Sequence, residues 1–251
     1  MLIDTHCHLF YKDIKTDLIS VLDRAKELGV DRFICVGTNL KDSKESLQLA
    51  MGYDSIYATA GVHPHDSKDV DDNYIEQLYK LINNKKIIAV GEIGLDYYRS
   101  ISDHDLQKKI FIEQMAVAAD VEKPVVFHNR DADKDVIKIL SDFPTVTGVA
   151  HCFSSNLETA QAFLDLGYYI SFSGNITFKN SHLPAVAEKL DLNRILIETD
   201  SPFLSPEPHR GKTNEPCRVW FVAKKLSEIL DVPLSVIEEK TSKNAKTLFG
   251  F

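Results

Sequence analysis

The feature that most constrains this chain is an alternation repeated eight times: a short run rich in Val, Ile, Ala and Phe, then a longer stretch with helical periodicity. The runs are LIDTHCHL, RFICVG, IYATAGVH, KIIAVGEIG, KPVVFH, VTGVAHCF, YYISFSG and RILIETD. Between them lie amphipathic stretches such as LISVLDRAKELG, YIEQLYKLINN, DLQKKIFIEQMAVAADVE and LETAQAFLDLG, several closed by the Gly that commonly follows a helix. Strands separated by helices pair in parallel. The runs are nearly continuous in apolar residues, as strands buried on both faces require. No Gly-, Ser- or Pro-rich linker divides the series. Eight such units favour an α/β fold of the (β/α)8, TIM-like barrel type over a doubly wound open sheet, with residues 1–251 as one domain. At 44% hydrophobic residues the chain can fill such a core. NEPCRVWFVAKKLSEIL and SVIEEKTSKNAKTLF supply two extra C-terminal helices.

A barrel of this kind gathers its chemistry at the C-terminal ends of the strands. His6 and His8 end the first run, His63 the third, Glu92 the fourth, His128 the fifth, His151 the sixth and Asp200 the eighth. His6 and His8, two apart on one strand, stand on the same face. Any one of these residues has an ordinary structural explanation. Together at one rim they would cost several kcal/mol in desolvation and repulsion unless cations compensated. Imidazole mixed with carboxylate, without thiolate, suits Zn, Mn, Fe, Ni or Mg. Strand parity turns Cys7 and Cys152 away from the neighbouring histidines. Six candidates (His6, His8, Glu92, His128, His151, Asp200) are too many for one catalytic ion with an open position. They suit two divalent metal ions sharing a carboxylate, with Glu92 as the bridge.

The formal charge of −8 argues against a broad electropositive surface that would grip nucleic acid wherever it landed. Cys7, Cys35, Cys152 and Cys217 form no CxxC pair and read as buried thiols in a reducing compartment. No basic segment precedes an apolar stretch at the N-terminus, and no apolar run approaches the ~18 residues of a membrane span. The expectation is a cytoplasmic protein without a membrane span and with no obligate protein partner evident.

DTHCHL (4–9), GVHPH (61–65), GEIGLDYY (91–98), HNRDA (128–132), HCFS (151–154), SFSGNITFK (171–179), ETDSPFLSP (198–206) and HRGKTNEP (209–216) together resemble the TatD family of metal-dependent deoxyribonucleases, within the amidohydrolase-like barrels. The resemblance implies a TIM-like barrel, divalent metal and hydrolysis of nucleic-acid phosphodiesters. It implies that His6, His8 and Asp200 hold one ion, that His128 and His151 hold the other, and that Glu92 touches both. His63 would then face substrate or a further ion. Two positions depart from the family's pattern: Ser155 stands where Gly is frequent, and Thr213 where Arg is frequent. Arg210 and Lys212 remain beside Thr213 as cations.

The expected activity is hydrolysis of DNA by a metal-activated water, at ends or on short single strands. Asp200 and Glu92 are the expected catalytic residues, with Asp200 as general base. Glu198, two residues before Asp200, is expected to orient Asp200 or a histidine, or to be a plain structural carboxylate. His63 and Arg210 are expected to contact substrate, and Arg130 to pair with a nearby carboxylate. Tyr97, Tyr98, Phe153 and Phe203 lie beside the ligand motifs, where they either stack bases or fill core. The alternative is a metal-dependent esterase or amidase acting on a small molecule or an aminoacyl-tRNA ester. A barrel that binds without turnover is the reading opposed by an intact Asp200.

Overall fold

The computed structural model describes all 251 residues. Eight strands form one sheet in sequential order, each neighbour parallel: β1 (Leu2–Cys7), β2 (Val30–Val36), β3 (Ile56–Ala60), β4 (Ile87–Asp96), β5 (Val125–Arg130), β6 (Gly148–Ala150), β7 (Tyr169–Phe172) and β8 (Ile195–Ile197). The sheet curls until its first and last edges meet. Cys7 and Ser201 form a parallel bridge, the His8 N–H donates to the Ser201 carbonyl at 2.8 Å, and the Asp200 N–H to the His6 carbonyl at 2.9 Å. The expected (β/α)8 barrel is the observed fold.

The connections carry α1 (Lys12–Lys15), α2 (Leu18–Glu27), α3 (Leu40–Gly52), α4 (Tyr74–Ile82), α5 (His104–Asp120), α6 (Asp133–Ser141), α7 (Leu157–Asp165) and α8 (Leu183–Ala187). Several start where a short polar side chain can satisfy free N–H groups. Asn39 accepts from the Asp42 N–H before α3, and Asn156 from the Thr159 N–H before α7, both at 2.9 Å. Gly29 and Gly167 follow α2 and α7 with φ of 75° and 92°, a left-handed conformation open to Gly at little cost. The two expected C-terminal helices are α9 (Val219–Leu230) and α10 (Leu234–Phe249).

The apolar residues divide into two layers. The larger, 53 buried residues, lies between strands and helices. The smaller, 12 residues, includes Ile34, Val36, Val126, Val149 and Leu196, which by parity share the inward face with His128, His151 and Glu198. Ala245, Leu248 and Phe249 of α10 belong to this inner layer, and Asn244 donates to the carbonyls of Leu192 and Ile195 at 2.8 Å. Thus α10 plugs the end where the strands begin and leaves the opposite end for chemistry. Two strands are shorter than their sequence runs suggest. β6 and β8 have three residues each, so HCF and ETD lie in the loops beyond them.

Candidate metal centre

The rim collects the sequence-predicted residues from six strands or their exits. His6 lies on β1, with His8 just past it. Glu92 is inside β4, His128 inside β5, and His151 directly follows β6. His63 and Asp200 are each the third residue after their strands, β3 and β8. Asp200 has a φ of 55°, so a left-handed turn rather than strand parity aims its carboxylate. β4 approaches β5 closely enough that a Cβ on Gly94, at φ 127°, would collide with the His128 carbonyl oxygen. That contact needs glycine, and it brings Glu92 and Asp96 to either side of the His128 ring.

Glu92 is buried at the centre, with its two oxygens facing different partners. Oε2 lies 3.4 Å from His6 Nε2. Oε1 lies 2.8 Å from His151 Nε2, 3.3 Å from His63 Nε2 and 3.4 Å from His128 Nδ1. On the first side, His8 Nε2 is 3.3 Å from both His6 Nε2 and Asp200 Oδ1, and His6 Nε2 is 3.8 Å from the same oxygen. On the second side, His128 Nδ1 and His151 Nε2 are 3.3 Å apart. The rings of His6 and His151 stack at 3.9 Å between the two sides.

Hydrogen-bond accounting decides what these groups can hold. His8 Nδ1 faces the Val36 carbonyl at 2.8 Å, an acceptor, so Nδ1 carries the proton. Nε2 of neutral His8 is then a bare lone pair aimed at Asp200. The same logic applies at His151, whose Nδ1 donates to Glu198 Oε1 at 3.2 Å, and at His128, whose Nε2 donates to Asp96 Oδ2 at 3.2 Å. Three bare nitrogens thus point at carboxylate oxygens. Lone pairs facing lone pairs repel unless a proton or a metal cation stands between them, and the donor set of nitrogen and oxygen suits a divalent metal. The residues fit such ions.

His63 differs from these three. Its Nδ1 accepts from the His65 N–H at 3.1 Å, which leaves the proton on Nε2, facing Glu92. Burial holds its pKa down at about 4 despite Glu92, so the ring is a neutral donor. Burial also opposes charge at His8, His128 and His151, but Asp200 at the first, Asp96 and Glu92 at the second, and Glu92 and Glu198 at the third outweigh it and raise their pKa values. Burial would raise Glu92 and Asp200 in turn, yet the surrounding imidazoles hold both below the usual carboxylate range.

Three carboxylates support the rim, and two of them escaped the sequence reading. Asp96 is buried, with Oδ1 accepting from the Arg99 N–H at 2.7 Å and Oδ2 shared between His65 Nε2 at 2.8 Å and His128 Nε2. It sits four residues after Glu92 on β4, an interval that keeps it on the same strand face. Asp4, two before His6, accepts from the Thr199 hydroxyl at 2.6 Å and the Thr199 and His6 N–H groups at 2.9 and 3.3 Å. Burial still pushes its carboxyl up to about 8. Glu198, expected to orient Asp200 or a histidine, binds His151 and the Cys152 N–H. Arg130 does not pair with a carboxylate as expected. Its guanidinium lies 4.4 Å over the Tyr98 ring. Arg210 is exposed and stacks on Phe178 at 3.7 Å.

A parallel barrel with buried imidazoles and carboxylates converging at its C-terminal mouth defines a class, the metal-dependent hydrolases of the amidohydrolase-like fold. Within that class the chain belongs to the TatD family: the TatD related DNase model matches residues 3–250. It is 40% identical over 252 residues to the uncharacterized metal-dependent hydrolase YabD of Bacillus subtilis, covering 99% of each chain. It is 33% identical, again over 99% of each, to the 3'-5' ssDNA/RNA exonuclease TatD of Edwardsiella piscicida. The crystal structure of the TatD homologue YJJV from Escherichia coli superposes with a TM-score of 0.95 at 32% identity, covering 100% of this chain and 98% of that one. The protein is accordingly a metal-dependent hydrolase. No helix is long and apolar enough to cross a membrane.

Proposed function

We propose that the protein hydrolyses DNA phosphodiester bonds at the ends of single strands, using two divalent ions held by His6, His8 and Asp200 on one side and His128 and His151 on the other, with Glu92 between them. One observation carries this reading: the two oxygens of Glu92 face separate sets of ligands. A pair of cations supplies, when bound, a lowered pKa for the attacking water and neutralisation of charge on the attacking and departing oxygens. The kinship with a 3'-5' ssDNA/RNA exonuclease supports a nucleic-acid substrate. The net charge of −8 does not favour a polyanion as such, but it suits a short strand end better than long duplex.

The chain's own residues divide the remaining work. Asp200, whose carboxylate lies 3.3 Å from His8 Nε2 and 3.8 Å from His6 Nε2, takes the proton from the water. His63, neutral and protonated on Nε2, is the donor we assign to a phosphate oxygen, which requires its ring to turn from Glu92 Oε1, 3.3 Å away in this structure. Arg210 meets phosphate at the rim, where its guanidinium is exposed. Asp96 and Glu198 hold the ring orientations of His128 and His151. The reading includes a cytoplasmic location, supported by four unpaired cysteines. The test is incubation of metal-loaded protein with end-labelled single-stranded DNA, duplex DNA, RNA and an aminoacyl ester. Stepwise shortening of single-stranded DNA is expected. Hydrolysis of the ester with no nuclease activity would replace this reading by that of an esterase.

A further inference from the structure

The four aromatic residues beside the ligand motifs separate cleanly by position. Phe153 is 3% exposed and packs edge-on against Phe163 and Phe172, so it is core. Tyr97 donates its hydroxyl to Asp135 at 2.6 Å and stacks on His104 at 3.9 Å. Tyr98 has Arg130 over its ring. Phe203 is 50% exposed, and of the four it alone pairs with a proposed metal ligand, its centroid 6.1 Å from that of His8. Tyr11, half-buried, completes a corner: its ring lies 5.7 Å from Phe203 at 74° and 5.5 Å from His8. Neither neighbour stacks face to face on Phe203.

The backbone beneath this ring is fixed. The Phe203 N–H donates to the Asp200 carbonyl at 2.9 Å, so the segment that aims the proposed base also aims the ring. Buried Asn214 holds the loop from the other side: its N–H donates to the Pro202 carbonyl at 3.0 Å and its side-chain amide to the Thr199 carbonyl at 2.9 Å. Gly174 lets the chain pass directly against the Leu204 carbonyl, where a Cβ would collide. Arg218 donates to Ser205 Oγ at 2.7 Å. An apolar ring on such a base loses little freedom when something stacks on it.

From this we infer that Phe203, with Tyr11 as side wall, is the subsite for one nucleobase of the strand being cut. The inference rests on the nuclease reading above and deepens it. Every base has a π-face, so stacking here would bind any sequence and would favour splayed single strands over duplex, whose bases are already stacked. A carboxylic ester without a planar ring would gain nothing from it.

The test is a cycle between protein and substrate. A short single-stranded oligonucleotide is compared with versions carrying an abasic analogue in the terminal nucleotide at one end or the other, using wild type, Phe203→Ala and Phe203→Trp. Wild type should lose about 5- to 100-fold in kcat/KM on one of the abasic substrates, chiefly through KM. Phe203→Ala should show that same loss on the normal oligonucleotide and no further loss on the abasic one. Phe203→Trp should restore the preference for a base. Metal content and Tm should be the same in all three proteins. If Phe203→Ala keeps the wild-type KM, or still discriminates against the abasic end, the subsite is wrong while the nuclease reading stands. If wild type cleaves no oligonucleotide but hydrolyses an ester, both fall.

Discussion

Converting Asp200 to Asn removes a charge and a proton acceptor while leaving the surroundings nearly intact. The backbone there has a φ of 55°, a region that Asn tolerates better than most side chains. Asn also keeps the length and one oxygen, so the fold should lose less than ~1 kcal/mol. Asp200→Ala would be a poorer probe, since it adds left-handed strain of about 1 kcal/mol to the loss of the group. The chemical effect is much larger. Asp200 Oδ1 is the anion closest to His8 Nε2, at 3.3 Å, and the proposed base for the water. Losing a general base typically slows a reaction by about 10²–10⁴, or roughly 3–5.5 kcal/mol of barrier at ~1.4 kcal/mol per tenfold. Asp200→Asn should therefore fold, bind a short single-stranded DNA when metal is supplied, and cut it at least ~100-fold more slowly. The assay is single-turnover cleavage of end-labelled DNA at saturating metal, beside a melting curve and elemental analysis. Cleavage within ~10-fold of wild type would refute the role of Asp200 as base.

Glu92→Gln should lose the link between the two sides of the centre, lowering metal content from about two ions per chain and turnover by at least ~100-fold; retention of both ions at a near-normal rate, by elemental analysis and cleavage assay, would remove the bridge. His63→Ala should keep its metal content and cut DNA on the order of 100-fold more slowly, as loss of one hydrogen-bond donor to a transition state does. Metal loss in that variant would make His63 a ligand. Asp96→Ala frees His128 and His65 together, and competition with a chromogenic chelator should show metal binding weakened about 10- to 100-fold, with Asp96→Asn intermediate. Chelation of metal from the native protein should lower Tm by about 5–10 °C relative to protein in ~100-fold excess of metal over Kd. An unchanged Tm by calorimetry would contradict the picture of lone pairs held together by cations.

The architecture and the rim residues were legible for the same reason. Parallel strands buried on both faces leave few polar positions, so His6, His128 and His151 stand out against apolar runs. What lay hidden depends on local backbone events. Parity places Glu198 and Asp200 on one face of one strand, but β8 ends at Ile197 and a left-handed turn at Asp200 separates their roles: Glu198 turns to His151, Asp200 to His8. Asp96 was missed because β4 runs on to Asp96, two residues past Gly94 where the apolar run KIIAVGEIG stops. Asp4 was missed because it precedes the histidines, below the rim. Arg130 could not be placed from sequence, since an exposed guanidinium finds an aromatic face as readily as a carboxylate.

The seam of the barrel ties Asp4 to Thr199 across 195 positions of chain, and α10 enters the barrel floor later still. A ribosome building this protein therefore releases His6 and His8 long before their partner Asp200 exists. Until then the growing sheet has an open edge beside β1, with unpaired N–H and C=O groups that invite wrong pairings. Contacts between such distant segments form slowly, because the intervening loop must first close. Completion of the candidate metal centre is then a late event in the life of the chain: no fragment that stops before Asp200 contains all six candidate ligands, and the site is whole only when the ring closes.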